Sequence, residues 1–165
     1  MFFSKKEGRI TPENITKLKK DEVFVFGSNE SGHHGAGAAK LAFDNFGAIM
    51  GNGWGPMGQS FAIPTKSWDI KGIIPLKALE CYLGRFSEYA MQHPEKQFLV
   101  TKIGCGLAGW SVEDIAPLFA GFDDPMFKNV SLPEEFWKVL DKTGDEEMYD
   151  YLKLEEEDIE NGAGN

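Results

Sequence analysis

The segment FLVTKIGCGLAGWSVEDIAPLF, Phe98 to Phe119, constrains the fold more than any other part of the chain. An apolar run with strand character meets Gly104, Gly106 and Gly109, and an amphipathic helical pattern follows. Glycines at such a junction let backbone N–H groups come close to a ligand, and a helix start adds partial positive charge. A second unit of the same design lies earlier, in EVFVFGSNESGHHGAGAAKLAF, Glu22 to Phe43. Two strand–glycine loop–helix units in one small chain predict an anion, such as a diphosphate, gripped from both sides.

The remaining pattern agrees with alternation of strands and helices. Thr11-Pro12-Glu13-Asn14 reads as a helix start with Thr11 as cap, and a short helix through Leu18 is predicted. Glu22 to Phe26 is a strand, and Gly35 to Phe46 a helix ended by Gly47. Gly51 to Ser60 holds four glycines and a proline and is predicted to be a loop. Phe61 to Pro64 reads as a strand, with Pro64 marking its end or an edge. Ile74 to His93 is the longest helix, Gln97 to Ile103 a strand, and Ser111 to Phe119 a helix capped by Ser111 with Asp114 three residues on. Asn129 to Leu132 and Pro133 to Leu140 give a last strand and helix. This order predicts an α/β fold, a three-layer α/β/α sandwich with a largely parallel or mixed sheet. Ligands of such sheets sit at the C-terminal ends of the strands, where both glycine loops fall.

Charge divides the chain. Residues 141–165 hold ten acids against Lys142 and Lys153, so nearly all of the net charge of −9 belongs to the tail. Residues 1–140 therefore read as one ligand-binding domain and 141–165 as an acidic tail, frayed or partly helical, with Tyr149, Leu152 and Leu154 able to dock and a disordered NGAGN end. Acidity disfavours non-specific nucleic-acid binding, without excluding a nucleic-acid-linked substrate in a pocket. Two cysteines, Cys81 and Cys105, are too few for a disulfide framework and suit a reducing compartment. With no targeting pattern at the start and no apolar run near ~18 residues, a cytoplasmic protein without membrane contact is expected.

Each chemical candidate has a plainer reading beside it. Gly104-Cys105-Gly106-Leu107-Ala108-Gly109 matches GxGxxG, but a dinucleotide site wants that motif after the first strand and an acid at a later strand end. Asp123 and Asp124 have the distance but precede Pro125. Cys105 is a nucleophile only with a nearby base, and otherwise a small residue in a tight loop. His33, His34 and His93 lack metal-ligand spacing, so no metal is expected. Lys66, in IPTKSW, projects from a strand end toward the glycine loops, where its amine can neutralise a phosphate or, desolvated, act as nucleophile or base. Trp68 is a candidate wall for that pocket. Asp69, Glu113 and Asp114 are the nearest acids, the last two also ordinary first-turn residues. Trp54 and Trp110 either stack on a base or ribose or fill the core.

Three blocks carry a family likeness. NITKLKKDEVFVFGSN, HGAGAAKLAFDNFG and IGCGLAGW together resemble the macrodomains, the ADP-ribose-binding α/β/α modules. The resemblance spans Asn14 to Phe119. It implies that Asn14 lies near the adenine and that Asn29 belongs to the first ligand loop with Gly35, Ala36 and Gly37. It also implies that Gly104, Cys105, Gly106, Leu107, Ala108, Gly109 and Trp110 wrap the diphosphate. Pro64-Thr65-Lys66 is similar to a segment of macrodomains that remove terminal ADP-ribose from protein acids, and of the antitoxin type that strips it from DNA. In those relatives the lysine is catalytic, which implies the same role for Lys66. The protein-directed type has an aspartate where this chain has Ala108. Three functions remain open at this point: an ADP-ribosyl hydrolase needing no cofactor, a non-catalytic ADP-ribose or nucleotide-binding module, and a Rossmann-type NAD-dependent enzyme.

Overall fold

A computed structural model describes residues 8–106 and 109–162. The elements run β1 (Glu22–Asn29), α1 (Gly37–Asn45), β2 (Gly55–Met57), β3 (Ser60–Lys66), α2 (Leu76–Gln92), β4 (Gln97–Val100), α3 (Val112–Ile115), β5 (Val130–Ser131) and α4 (Glu134–Gly162). Two 3₁₀ segments, Ala116–Asp123 and Pro125–Phe127, join α3 to β5. The five strands form one mixed sheet in the order β2-β3-β1-β4-β5, parallel except for the hairpin strand β2.

β1 is central, and residues on both its faces are buried. Val23 and Val25 join one apolar cluster with Phe61, Ile63, Phe98 and Val100, covered by Leu79, Leu83, Phe86 and Ala90 of α2. Phe24 and Phe26 join a second cluster with Ala62 and Met57, covered by Ala39 and Ala42 of α1. A strand buried on both faces reads as a continuous apolar run, which is how EVFVF reads. Leu79, Leu83, Phe86 and Ala90 recur at helical spacing and give α2 its buried stripe. Gly84 lies on the exposed side of α2, and a Cβ there would meet nothing within 4 Å. Gly84→Ala is therefore expected to raise stability by about 0.5–1 kcal/mol, read as a higher chemical-denaturation midpoint at unchanged slope.

Several expectations are corrected. Residues 11–18 form no helix. The Thr11 N–H donates to the Leu132 carbonyl at 2.9 Å, and Ile10 pairs with Leu132 in a parallel bridge. Thr11 Oγ1 is buried without a hydrogen-bond partner and so caps no helix, while Ile15 and Leu18 pack on the second cluster. Arg9 anchors this segment. Its guanidinium donates to the carbonyls of Val130 and Phe122 and lies over the Trp137 ring, whose Nε1–H donates to the Arg9 carbonyl at 2.8 Å. The Gly51–Ser60 stretch is not all loop, because Gly55–Met57 pairs antiparallel with Ser60–Ala62 across a turn at Gly58-Gln59. The strand at 97–103 stops at Val100, and the helix from Ser111 is α-helical for four residues only. α4 carries helix to Gly162, beyond the tail boundary at 141.

Candidate functional site

The C-terminal ends of β1, β3 and β4 lie side by side and open onto a cleft of about 510 Å³. That volume is on the scale of small-molecule sites. Ser28 and Asn29, Thr65 and Lys66, and Thr101 and Lys102 line it from the strand ends. Gly35, Ala36 and Gly37 line it from the first glycine loop, and Gly104 and Cys105 from the second. A register shift between Ser28 and Asn29 places Asn29 opposite Lys66 rather than Thr65. Irregularities of this kind re-aim side chains at strand ends. The Lys66 carbonyl accepts from the Glu30 N–H at 3.1 Å, which fixes its backbone.

Asn29 organises the first loop. Its Nδ2 donates to the His33 carbonyl, and its Oδ1 accepts from the His33 N–H and the Ser31 hydroxyl, each at 2.8 Å. His34 is buried, and its Nε2 lies 3.0 Å from the carbonyls of both Ile49 and Asn52. Two acceptors around one ring nitrogen require the proton on Nε2. At the end of the loop, Ala36 is the N-cap of α1, in extended conformation and with no capping side-chain hydrogen bond. The first N–H groups of α1 have no intrahelical partner, and Gly37, Ala38 and Ala39 all line the cleft.

The second loop differs from expectation. Gly104 adopts φ 75°, and a Cβ there would sit 2.9 Å from Ile115 Cδ1, so the turn needs glycine. Gly106, Gly109 and Trp110 do not line the cleft. The Trp110 N–H donates to the Gly104 carbonyl at 3.1 Å, and its side chain packs against the first apolar cluster. Leu107 and Ala108 lie outside the described residues. No long helix supplies a dipole here: α3 has four residues, and Ser111 and Asp114 close its start as a reciprocal capping box. Hydrogen bonds from the Ser111 side chain and backbone hold the Asp114 carboxyl below its ordinary value, so Asp114 serves the cap.

The aromatic and acidic candidates are elsewhere. Trp54 packs between Phe61 and Tyr82, ring centroids 5.2 Å away in each case. Trp68 is 71% exposed and does not line the cleft. The Asp69 carboxylate accepts from Ser67 Oγ and the Lys71 N–H within its own turn. Asn14 lines a second cleft of about 530 Å³, with Glu13, Phe24, Leu41 and Glu135 among its walls. The two clefts share Ala38, Thr101 and Lys102. Asp123 and Asp124 close a 3₁₀ segment, not a strand, and the GxGxxG stretch follows β4 rather than β1. Among the described residues no three His, Cys, Asp or Glu side chains are grouped to hold a metal ion, and no helix is long and apolar enough to cross a membrane.

Lys102 is a cleft residue that sequence reasoning missed. Its Nζ lies 2.9 Å from Glu135 Oε1, and this hydrogen bond holds the ammonium above its ordinary value. The signal was present as a repeat: β3 ends in Thr65-Lys66, and β4 leads into Thr101-Lys102. Burial pushes the Cys105 thiol up, with Glu113 and Asp114 adding and Lys102 opposing. Cys81 is exposed and Cys105 half-buried. Maleimide at neutral pH is therefore expected to label Cys81 well before Cys105, with Cys105 labelling accelerating as pH rises. Equal rates, measured by peptide mass mapping, would contradict this placement.

Compared with protein-family models, with curated proteins and with solved structures, the chain matches none.

Proposed function

We propose that this chain is a macrodomain-like three-layer α/β/α module that binds ADP-ribose and hydrolyses it from a modified protein or nucleic acid. One observation carries the reading: both glycine loops and Lys66 meet in a single cleft at the strand C-termini. The uncapped N–H groups at the start of α1 and the backbone at Gly104 and Cys105 suit a diphosphate. The second cleft, joined to the first at Ala38, Thr101 and Lys102, suits the adenosine half, with Asn14 in its wall. A ligand with two separate moieties around a diphosphate fits two connected clefts better than one.

In this reading Lys66 acts on the distal ribose. Its amine nitrogen forms a bond to the anomeric carbon as the bond to the macromolecule breaks, and the leaving group takes the electron pair and a proton from that nitrogen. Water then breaks the carbon–nitrogen bond and releases ADP-ribose. The reaction is tested by incubating the chain with automodified protein and with ADP-ribosylated single-stranded DNA and measuring free ADP-ribose. Release from either supports hydrolysis, and the responsive substrate identifies the linkage. The second reading, a module that binds without cutting, is favoured by Ala108 in place of the family's acid. Retained ADP-ribose affinity with no release from either substrate would establish it.

A further inference from the structure

Ile70 has a backbone that its residue type resists. Its φ is 68°, the one left-handed non-glycine among the described residues. A β-branched side chain is crowded in that conformation, and such strain persists only where the surroundings over-determine it. They do so here. The Ile70 N–H donates to the Ser67 carbonyl at 3.0 Å, and the Ser67 N–H to the Gly72 carbonyl at 2.8 Å. Asp69 Oδ1 accepts from Ser67 Oγ at 2.6 Å and from the Lys71 N–H at 3.1 Å. The turn is closed at its base by an antiparallel bridge between Lys66 and Ile73, and Ile73 in turn packs over Gly109.

A turn that needed only this φ would be served by glycine or asparagine. Isoleucine must therefore be there for its side chain. Ile70 belongs to neither apolar cluster, so core packing does not account for it. It is 37% exposed and lines the first cleft, on the turn that Lys66 begins. An apolar wall gains contact from the face of an uncharged ring and offers a terminal phosphate nothing, so it adds affinity to a ligand that ends in a sugar and none to one that ends in phosphate.

We infer that Ile70 is the specificity-determining residue of this cleft, the wall that favours a ligand ending in a sugar over one ending in phosphate. The inference rests on the ADP-ribose reading above. The test is calorimetric titration of the full chain and of Ile70→Ala and Ile70→Gly with ADP-ribose and with ADP. The wild type is expected to bind ADP-ribose more tightly than ADP. Both variants should lose on the order of tenfold in ADP-ribose affinity, the scale of a removed apolar contact, with ADP affinity unchanged. Ile70→Gly should melt at or above Ile70→Ala, because glycine carries no left-handed penalty. Equal losses for both ligands would make Ile70 merely structural and overturn the inference. Unchanged ADP-ribose affinity in both variants would overturn it while leaving the ADP-ribose reading intact. A wild type that binds neither ligand would overturn both together.

Discussion

Gly32→Ala is expected to lower stability by more than about 4 kcal/mol, a large share of what a domain of this size possesses. Gly32 sits where two loops touch backbone to backbone. A Cβ there would lie 2.3 Å from the Asn52 nitrogen and 2.5 Å from the Gly51 carbonyl carbon, distances no rotamer can relieve. Its φ of 72° adds a left-handed penalty of about 1–2 kcal/mol. The neighbour cannot retreat freely, because the Gly51 N–H donates to the Gly32 carbonyl at 2.9 Å and His34 ties Ile49 and Asn52 to the same loop. The melting temperature should fall by about 10 °C or more. Gly37→Ala is the matched control: φ is 57° but nothing lies within 4 Å of the new Cβ, so only the backbone term of about 1–2 kcal/mol is expected. Equal losses in the two variants would show that the loop–loop contact is not as tight as described.

Lys66→Ala is expected to reduce release of ADP-ribose on the order of 10³-fold or more, the scale seen when a nucleophile is removed. Binding of free ADP-ribose should persist, since the backbone groups of the two glycine loops are untouched. The fold should persist as well: Lys66 is half-buried, and β3 is held by its pairing with β1 and by the Thr65 hydroxyl on the Ser28 carbonyl. Lys66→Arg should fail to rescue, because a guanidinium stays protonated and cannot attack carbon. Normal turnover by either variant would remove Lys66 from the chemistry and direct attention to Lys102 in the same cleft.

What could be read from the sequence was what local chemistry fixes. The first strand–glycine–helix unit appears in place, the second keeps its strand and its turn at Gly104 but only four residues of α-helix, and α2 matches its apolar spacing almost to the residue. Lys66, Asn29, Gly35 and Gly104 lie in one cleft because a parallel sheet aligns strand ends, which alternation of elements already implied. The failures came from partners distant in sequence. Thr11 to Leu18 carries a sound helix-start pattern, yet the segment forms no helix: Ile10 bridges to Leu132, and Ile15 and Leu18 pack on the second cluster. Gly55–Met57 looks like loop by composition and becomes strand because Ser60–Ala62 pairs with it. Trp110 was ambiguous in a glycine loop, and only the packing against the first cluster decides its place. Lys102 was legible through its Thr-Lys repeat and was overlooked, while the left-handed Ile70 leaves no trace in composition.

The most direct test of the central claim is a thermal-shift titration of the full chain with ADP-ribose, with AMP and NAD as controls. At about 100 times the dissociation constant, a bound ligand adds about 2.7 kcal/mol, which is a rise of several degrees. The account predicts that rise with ADP-ribose and smaller ones with AMP and NAD. A larger rise with NAD would favour a dinucleotide enzyme, and no rise with any of the three would contradict ADP-ribose as the occupant of the cleft.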